Sequence, residues 1–180
     1  MEIIKTPLQD LLIIKPIIFK DERGDFYEVY NEEKFALTGI NLKFVQDNQS
    51  VSKKGVVRGL HFQKPPFAQA KLVRVVQGAA MDVAVDLRKS SPTFGKHYFL
   101  VLSSDNHLQL FIPEGFAHGF AALEDNTVLS YKCSNYYHKD SEGTLSFDDP
   151  DLNIHWQTEN PIVSAKDRQG LLFKNFVSPF

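Results

Sequence analysis

The stretch "KLVRVVQGAAMDVAVDLR", Lys71 to Arg88, decides the fold. It is rich in valine, and after Gly78 an apolar residue stands at nearly every second position. This spacing is typical of β-strands, whose side chains point alternately to the two faces of a sheet. A glycine between two such runs favours a turn. The sequence therefore predicts one strand on each side of Gly78.

Further short apolar runs predict several more strands. They are "HYFLVLS" (97–103), "HLQLFIPEG" (107–115) and "NTVLSYKCS" (126–134), with polar turn clusters such as "SSDNH" between them. Short helices are expected in "NEEKFALTG" (31–39) and within the last twenty residues. Many short strands with hardly any helix predict an all-β sandwich or barrel.

Length and composition are those of one ordinary globular domain. The chain has 180 residues, 43% hydrophobic and 23% charged, so residues 1–180 are expected to form a single domain. Its 20 basic and 22 acidic residues give a formal net charge of -2. That balance argues against binding to the phosphate backbone of a nucleic acid, because such proteins usually carry a basic excess. A small phosphate-bearing ligand needs only a few arginines and stays compatible.

The sequence also predicts a cytoplasmic protein that does not insert into a membrane. Its single cysteine, Cys133, cannot form an internal disulfide, so nothing calls for an oxidising compartment. The most apolar early run, "LLIIKPIIF", is interrupted by Lys15 and Pro16. It is far shorter than the roughly 20 apolar residues that cross a bilayer as a helix.

The segment "GVVRGLHFQKPP", Gly55 to Pro66, places Arg58 and His61 among residues that favour a strand. The two alternatives are a half-exposed strand with a hydrogen-bonded imidazole and a catalytic base in a pocket. Strict alternation puts Arg58 and His61 on opposite faces. For both to enter one pocket, either the strand has a bulge, for which Gly59 is a suitable site, or Arg58 reaches around the edge of the strand.

No metal site is predicted. Metal-binding β-barrels often present two histidines one residue apart on a strand, together with a carboxylate. Here no second histidine accompanies His61, although ligands assembled from distant parts of the chain remain an alternative. The other histidines stand singly: His97, His107, His118, His138 and His155.

Three further polar residues have both a structural and a functional interpretation. Tyr131 shares a strand face with Leu129 and Cys133, and it is either a hydrogen-bonded core tyrosine or a general acid. His118 follows the turn of "FIPEGFAHGF" and could simply cap a carbonyl. Asp167 belongs to a solvated loop or, if it reaches His61, orients that imidazole and strengthens it as a base.

Charged residues also interrupt the two valine-rich strands. Lys71 shares one face with Val73 and Val75, and Asp82 shares one with Ala84 and Asp86. These faces look either at solvent or into a pocket, because a buried charge is costly unless it is paired or binds a ligand.

Taken in order, the motifs resemble those of the dTDP-4-dehydrorhamnose 3,5-epimerase family over about Pro16 to Asp167. They are "RGDFYE", "FVQDNQS", "GVVRGLHFQ", "KLVRVVQGAAMDVAVDLRKSSPTFG", "IPEGFAHGF", "YKCSNYYHKDSEGTLSFDDPDLNIHW" and "SAKD". The resemblance implies a cupin-type jelly-roll β-sandwich without metal or cofactor, and a homodimer. It implies a substrate that is a dTDP-linked 4-keto-6-deoxy sugar. Each carbon beside the ketone would lose a proton and regain one on the other face, giving the precursor of activated L-rhamnose.

The resemblance also implies site residues. His61 is similar to the family's base, Asp167 to its carboxylate partner, and Tyr131 to the acid on the opposite face. Lys71 matches the cation beside the keto oxygen, and Asp82 an acidic position near the sugar. Contacts to the nucleotide-sugar are expected from Arg23, Glu28, Gln46, Asp47, Asn48, Arg58, His118, Tyr137 as a stacking ring, Glu142 and Lys166. Ala70 and Phe67, where glycine and histidine are common in the family, leave the sugar preference open.

Four other functions remain as alternatives. An enzyme that inverts a single carbon and a ketoisomerase could both use the same barrel and base on a related dTDP-ketosugar. A non-catalytic cupin could merely bind a sugar nucleotide. A metal-dependent cupin oxygenase would need the ligands that the sequence does not obviously offer.

Overall fold

The computed structural model describes residues 1–180, which form mainly antiparallel β-strands. The strands are β1 (Glu2–Lys5), β2 (Leu12–Lys15), β3 (Ile18–Asp21), β4 (Gly24–Tyr27), β5 (Gln46–Ser52), β6 (Val56–Gln63), β7 (Lys71–Gln77), β8 (Ala79–Asp86), β9 (His97–Ser103), β10 (Gln109–Ile112), β11 (Phe116–Ala122), β12 (Thr127–Cys133), β13 (Glu142–Thr144) and β14 (Ile162–Val163). The α-helix is α1 (Glu32–Ala36), and 3₁₀ turns lie at Lys139–Ser141, Asp167–Gln169 and Phe173–Asn175. None of these helices has the length and apolar character needed to cross a bilayer.

The strands form two large sheets and one separate hairpin. Sheet 1 has the order β1-β2-β10-β7-β12-β5, and sheet 2 has the order β13-β6-β11-β8-β9, with β14 beside β6. Strands β3 and β4 pair only with each other. The chain repeatedly crosses from one sheet to the other, as it does from β7 to β8 and from β10 to β11. The all-β, cupin-type jelly-roll prediction is confirmed.

The turn at Gly78 is one of these crossings. Gly78 has a φ of +77°, and a Cβ atom there would lie 2.8 Å from Oγ1 of Thr127. Glycine meets both requirements without strain. The two strands predicted around Gly78 are confirmed, and they lie in opposite sheets.

Alternation along the strands directs one set of side chains into the space between the sheets. Sheet 1 contributes Val73, Val75 and Leu129 to this core, and sheet 2 contributes Ala84 and Phe120. A second core lies on the other side of β8, where the C-terminal segment covers sheet 2. Because both of its faces are covered, β8 is buried at every position.

The helix predictions are confirmed in part. Helix α1 forms where expected, and Oδ1 of Asn31 accepts a hydrogen bond from the backbone N–H of Lys34 as its N-cap. In the last twenty residues two short 3₁₀ turns form, Asp167–Gln169 and Phe173–Asn175, and no α-helix does. Rings from this segment pack against sheet 2 instead, which favours a more extended chain than an α-helix provides.

Candidate active site

A cavity of about 140 Å³ opens at one end of the sandwich, between the two sheets. Its lining residues are Gln46, Asn48, His61, Phe62, Gln63, Gln69, Lys71, Tyr131, Tyr137 and Glu142. Sheet 1 contributes through β5, β7 and β12, and sheet 2 contributes through β6 and β13. Thus His61, Lys71 and Tyr131 line one cavity, although they lie on three different strands.

A bulge in β6 turns His61 toward this end of the sandwich. His118 on β11 stands opposite His61 and Phe120 stands opposite Arg58, so three steps along β6 match two along β11. Gly59 lies inside the irregularity with a φ of +119°. A Cβ atom there would come within 2.6 Å of Cα of Gly119. The predicted bulge is confirmed, and Arg58 and His61 line one groove beside the cavity.

His61 pairs with Asp167, which is 106 residues away in sequence. His61 Nε2 lies 2.7 Å from Asp167 Oδ1. The backbone N–H of Gly59 donates to the other oxygen, Oδ2, at 3.1 Å. The side chain of Asp167 is 5% exposed and that of His61 is 32% exposed. An ionised carboxylate can only accept a hydrogen bond, so Nε2 carries the hydrogen and donates it to Asp167. Nδ1 then keeps the lone pair that can take a proton.

Asp167 is held in its ionised form. Burial opposes ionisation, but the hydrogen bond from His61, its positive charge when protonated and the Gly59 N–H outweigh it, so the pKa of Asp167 lies below its usual range. The Ser164 Oγ accepts a hydrogen bond from the backbone N–H of Asp167 at 3.1 Å. The carboxylate is therefore fixed as well as charged.

Lys71 brings an ammonium group to the cavity without a carboxylate in direct contact. It stands opposite Cys133 in the β7–β12 pairing, and its Nζ lies 5.7 Å from the ring centroid of Tyr131. Burial lowers the pKa of Lys71, while Cys133, Asp82 and Glu142 oppose this lowering. An ammonium with no ion-pair partner is free to bind a developing negative charge.

Tyr131 faces the interior, as alternation predicts. Leu129 and Cys133 on the same face of β12 are buried, and the Tyr131 ring packs against the core between the sheets. Burial raises the pKa of Tyr131, and the neighbouring Cys133 adds to the effect. The phenol therefore keeps its proton near neutral pH and can donate it.

Tyr137, Glu142 and Lys166 form a polar cluster at the mouth. The Tyr137 hydroxyl donates to Glu142 Oε2 at 3.0 Å, and Lys166 Nζ lies 2.6 Å from the same oxygen. Burial opposes ionisation of Glu142, but the Lys166 and Tyr137 hydrogen bonds prevail and hold its pKa below the usual range. The cluster joins the segment after β12 to the segment that carries Asp167.

His118 and Asp82 form a second imidazole–carboxylate pair, behind the cavity. His118 Nε2 lies 2.9 Å from Asp82 Oδ2, and the two side chains are 6% and 0% exposed. Burial lowers the pKa of His118, although Asp82 opposes this. The other Asp82 oxygen, Oδ1, is buried without a hydrogen-bond partner. His118 was expected to contact the ligand, but it is not among the residues that line the cavity.

Besides His118, three expected contact residues lie outside both the cavity and the adjoining groove of their own chain. Arg23 is exposed and forms an ion pair with Asp21, while Glu28 pairs with Lys34. Asp47 points to the outer face of sheet 1, where it pairs with Lys132. By contrast, Arg58, Lys166 and Asp167 line the groove that shares His61 with the cavity.

The sequence interpretation missed several lining residues. Gln63 follows His61 by two positions, so alternation could have placed both on one face. Gln69 and Phe62 carry no comparable signal. Ser164 adjoins the "KD" pair that drew attention to Asp167, but its contact with the backbone of Asp167 depends on the local turn.

No group of three or more His, Cys, Asp or Glu side chains has an arrangement that could hold a metal ion. His138 stacks on Phe67 with ring centroids 3.8 Å apart, and His107 packs on Tyr27. These histidines therefore have structural contacts of their own. The expectation of a metal-independent site stays a prediction.

The geometry suits proton transfer at a carbon beside a carbonyl group. Such a step needs a base over the carbon and a positive donor at the oxygen where negative charge develops. His61 and Lys71 have these properties, and Tyr131 offers a proton from another wall of the cavity.

Comparison with known proteins gives consistent matches over nearly the whole chain. The model of one protein family, described as dTDP-4-dehydrorhamnose 3,5-epimerase, matches residues 5–175. A protein of that name from Shigella flexneri is 51% identical over 174 residues, 96% of this chain and 96% of its own.

Solved structures agree with this. The crystal structure of dTDP-4-dehydrorhamnose 3,5-epimerase from Elizabethkingia anophelis NUHP1 superposes with a TM-score of 0.93 at 55% identity, covering 97% of each chain. The epimerase from Legionella pneumophila Philadelphia 1, solved with dTDP-4-keto-L-rhamnose, also gives a TM-score of 0.93. It is 46% identical and covers 98% of this chain and 94% of its own.

Proposed function

Because this chain belongs to the dTDP-4-dehydrorhamnose 3,5-epimerase family, we propose that it inverts both carbons beside the ketone of dTDP-4-keto-6-deoxy-D-glucose. The product would be dTDP-4-keto-L-rhamnose, in the biosynthesis of dTDP-L-rhamnose. The observation that carries the proposal is a single cavity lined by His61, Lys71 and Tyr131. The ligand of the Legionella pneumophila relative, dTDP-4-keto-L-rhamnose, supports the choice of substrate.

His61 would take the proton. The 2.7 Å contact with Asp167 leaves Nδ1 as the free ring nitrogen and stabilises the imidazolium that forms. Imidazoles ordinarily titrate near pH 6.5, so they both accept and release protons around neutrality. Removal of the proton from the carbon leaves an enolate, whose negative charge rests on the former keto oxygen.

Lys71 would bind that oxygen. Its ammonium group has no ion-pair partner in the protein and lies 5.7 Å from the ring centroid of Tyr131. A fixed charge in a cavity with little water stabilises an enolate without having to reorganise. His118 and Asp82, directly behind, would keep a compensating negative charge near Lys71.

Tyr131 would return a proton to the opposite face of the carbon. A single base would mostly give the proton back to the side it came from, which restores the starting stereochemistry. Burial keeps the Tyr131 phenol protonated. Tyr131 lies on sheet 1, across from His61 on sheet 2, and this placement supports proton removal from one face of the carbon and proton return to the other.

The nucleotide would lie at the mouth of the cavity. Tyr137 is 55% exposed there and offers a ring for the thymine. Gln46 and Asn48 line the same cavity and provide amide groups. Arg58 and Lys166 supply positive charge in the adjoining groove for the diphosphate.

A homodimer would complete the site. The β3–β4 hairpin, which carries Arg23, pairs with no other strand of its chain. Phe19 and Phe26 on this hairpin are 63% and 73% exposed, and apolar surface of this kind favours a protein contact. We propose that the hairpin brings Arg23 and Glu28 to the cavity of a second copy. The cytoplasmic location stays a prediction.

The decisive experiment is incubation with dTDP-4-keto-6-deoxy-D-glucose in heavy water, followed by NMR. Deuterium at both carbons beside the ketone, with both inverted, is the expected result. Deuterium and inversion at one carbon would indicate a single-carbon epimerase, and a displaced carbonyl would indicate a ketoisomerase. Binding with no deuterium uptake would indicate a non-catalytic cupin.

The Tyr131→Phe variant tests the second half of the mechanism. This variant should still incorporate deuterium into the sugar, because His61 and Lys71 are intact, but it should invert the carbon centres slowly. Inversion at the wild-type rate would place the acid elsewhere.

A further inference from the structure

The segment Asn135–His138, which carries the Tyr137 ring, lies outside every helix and strand. Side-chain amides hold much of its backbone. Gln69 Nε2 donates to the carbonyl oxygen of Asn135 at 2.7 Å. Gln46 Oε1 accepts the backbone N–H of Tyr137 at 3.0 Å. The direction in which the ring leaves the chain therefore depends on these amides.

Gln63 binds this segment on both sides of Tyr137. Its Nε2 donates to the carbonyl oxygen of Tyr136 at 3.1 Å. Its Oε1 accepts the backbone N–H of His138 at 2.7 Å. The same Nε2 also donates to the carbonyl oxygen of Phe67 at 2.7 Å. Gln63 is 6% exposed.

These three bonds determine what the Gln63 side chain can do. A primary amide has two N–H donors and one carbonyl oxygen with two lone pairs, and here both donors and one of the lone pairs are engaged by the backbone. No N–H remains for a ligand, even though Gln63 lines the cavity. Because three backbone contacts fix this amide and it is only 6% exposed, we assign it a role internal to the protein.

We infer that Gln63 is a positioning residue, which holds Tyr137 where a nucleobase can stack on it. The inference rests on the proposed function for the role of the ring. Tyr137 is 55% exposed, and its side chain makes one hydrogen bond, from the hydroxyl to Glu142. Fixing the backbone beside an exposed ring reduces the ordering that binding must otherwise supply.

The test measures thymidine diphosphate binding by calorimetry in the Gln63→Met variant. Methionine has a similar length but can make none of the three bonds. We expect the Kd to rise about tenfold, within the range that one base–aromatic stack is worth. KM for the ketosugar should rise similarly, with kcat nearly unchanged. Gln77→Met, at an exposed position on the end of β7, is the matched control and should leave both values unaltered.

A double-mutant cycle separates positioning from general structural support. In a Tyr137→Ala background the Gln63→Met change should no longer weaken binding, because the ring it positions is gone. An equal loss in both backgrounds, or a fall in kcat with an unaltered KM, would overturn the inference.

A second variant covers the case in which Gln63→Met does not fold. Gln63→Glu keeps the volume and the acceptor for the His138 N–H but faces two carbonyl oxygens with a carboxylate. Gln63→Glu should weaken thymidine diphosphate binding only when Tyr137 is present. An equal loss of binding in the Tyr137→Ala background would refute the inference. If the wild-type enzyme took up no deuterium from heavy water, the proposed function would fail instead, whatever the binding data show.

Discussion

The protein contains two imidazole–carboxylate pairs that lie side by side and differ mainly in exposure. His61 on β6 and His118 on β11 are directly opposite each other in sheet 2, and each bonds a carboxylate through Nε2. The His61 side chain is 32% exposed and the His118 side chain is 6% exposed. The same chemical unit can therefore exchange protons with a ligand in one place and serve as fixed electrostatic support in the other.

The difference arises from what lies around each pair. The bulge at Gly59 turns His61 toward the cavity mouth and supplies a backbone N–H to Asp167. His118 and Asp82 sit in regular strands within the buried part of sheet 2. Access, and not the identity of the residues, distinguishes the proposed base, His61, from the buried pair of His118 and Asp82.

The largest expected effect is on the accessible pair. His61→Ala should lower kcat by about 10³-fold or more, since it removes the proposed base. Deuterium uptake should disappear, while the melting temperature changes little, because Asp167 keeps its bonds to Gly59 and Ser164. Deuterium uptake at the wild-type rate would remove His61 from its role.

The buried pair should respond in the opposite manner. His118→Ala leaves a buried Asp82 carboxylate without a partner, so the free energy of unfolding should fall by about 3 kcal/mol. Urea denaturation measures this. The loss of kcat should be much smaller than in His61→Ala, and a larger loss would make His118, and not His61, the principal base.

Asp167→Asn tests how much the carboxylate strengthens the accessible imidazole. Asparagine can keep the geometry but cannot stabilise the imidazolium, so kcat should fall by about 10²-fold. The rate of deuterium uptake should fall in parallel, because the same proton removal is slowed. A normal rate would reduce Asp167 to a structural residue.

Asp82→Asn should change kcat/KM least among these variants at neutral pH and should lower it clearly at alkaline pH. Burial lowers the pKa of Lys71 and Asp82 opposes this, so removing the negative charge should lower the pKa further. The ammonium form exists below that pKa. The alkaline limb of kcat/KM should therefore move to lower pH, whereas Asp105→Asn, at an exposed turn, should leave the profile unchanged. A shift toward higher pH would contradict this assignment.

Much of the fold and part of the site can be predicted from local sequence patterns. Alternation places Tyr131 on the inward face of its strand, and it places Lys71 with two buried valines. These predictions succeed because a strand repeats every two residues, whatever the rest of the chain does. The β6 bulge can also be predicted, because Gly59 lies between Arg58 and His61, which strict alternation would place on opposite faces.

Other features depend on contacts that no local pattern encodes. Asp167 reaches His61 over 106 residues of chain, and Gln63 reaches the backbone of His138 over 75. The family resemblance predicts ligand contacts from Arg23, Glu28 and Asp47, yet their own chain places them away from the cavity. The proposed dimer would bring Arg23 and Glu28 to the cavity of a second copy.

The amino-acid sequence by itself determined the all-β class, the inward faces of the strands and the residue types suited to proton transfer, because these follow from side-chain periodicity and functional-group chemistry. Only the tertiary structure decided which histidine is accessible, which carboxylate orients it and which amides hold the exposed tyrosine. The physical reason is that exposure and hydrogen bonding depend on how the two sheets and the C-terminal segment pack together. Residues far apart in the chain become neighbours only in the folded protein.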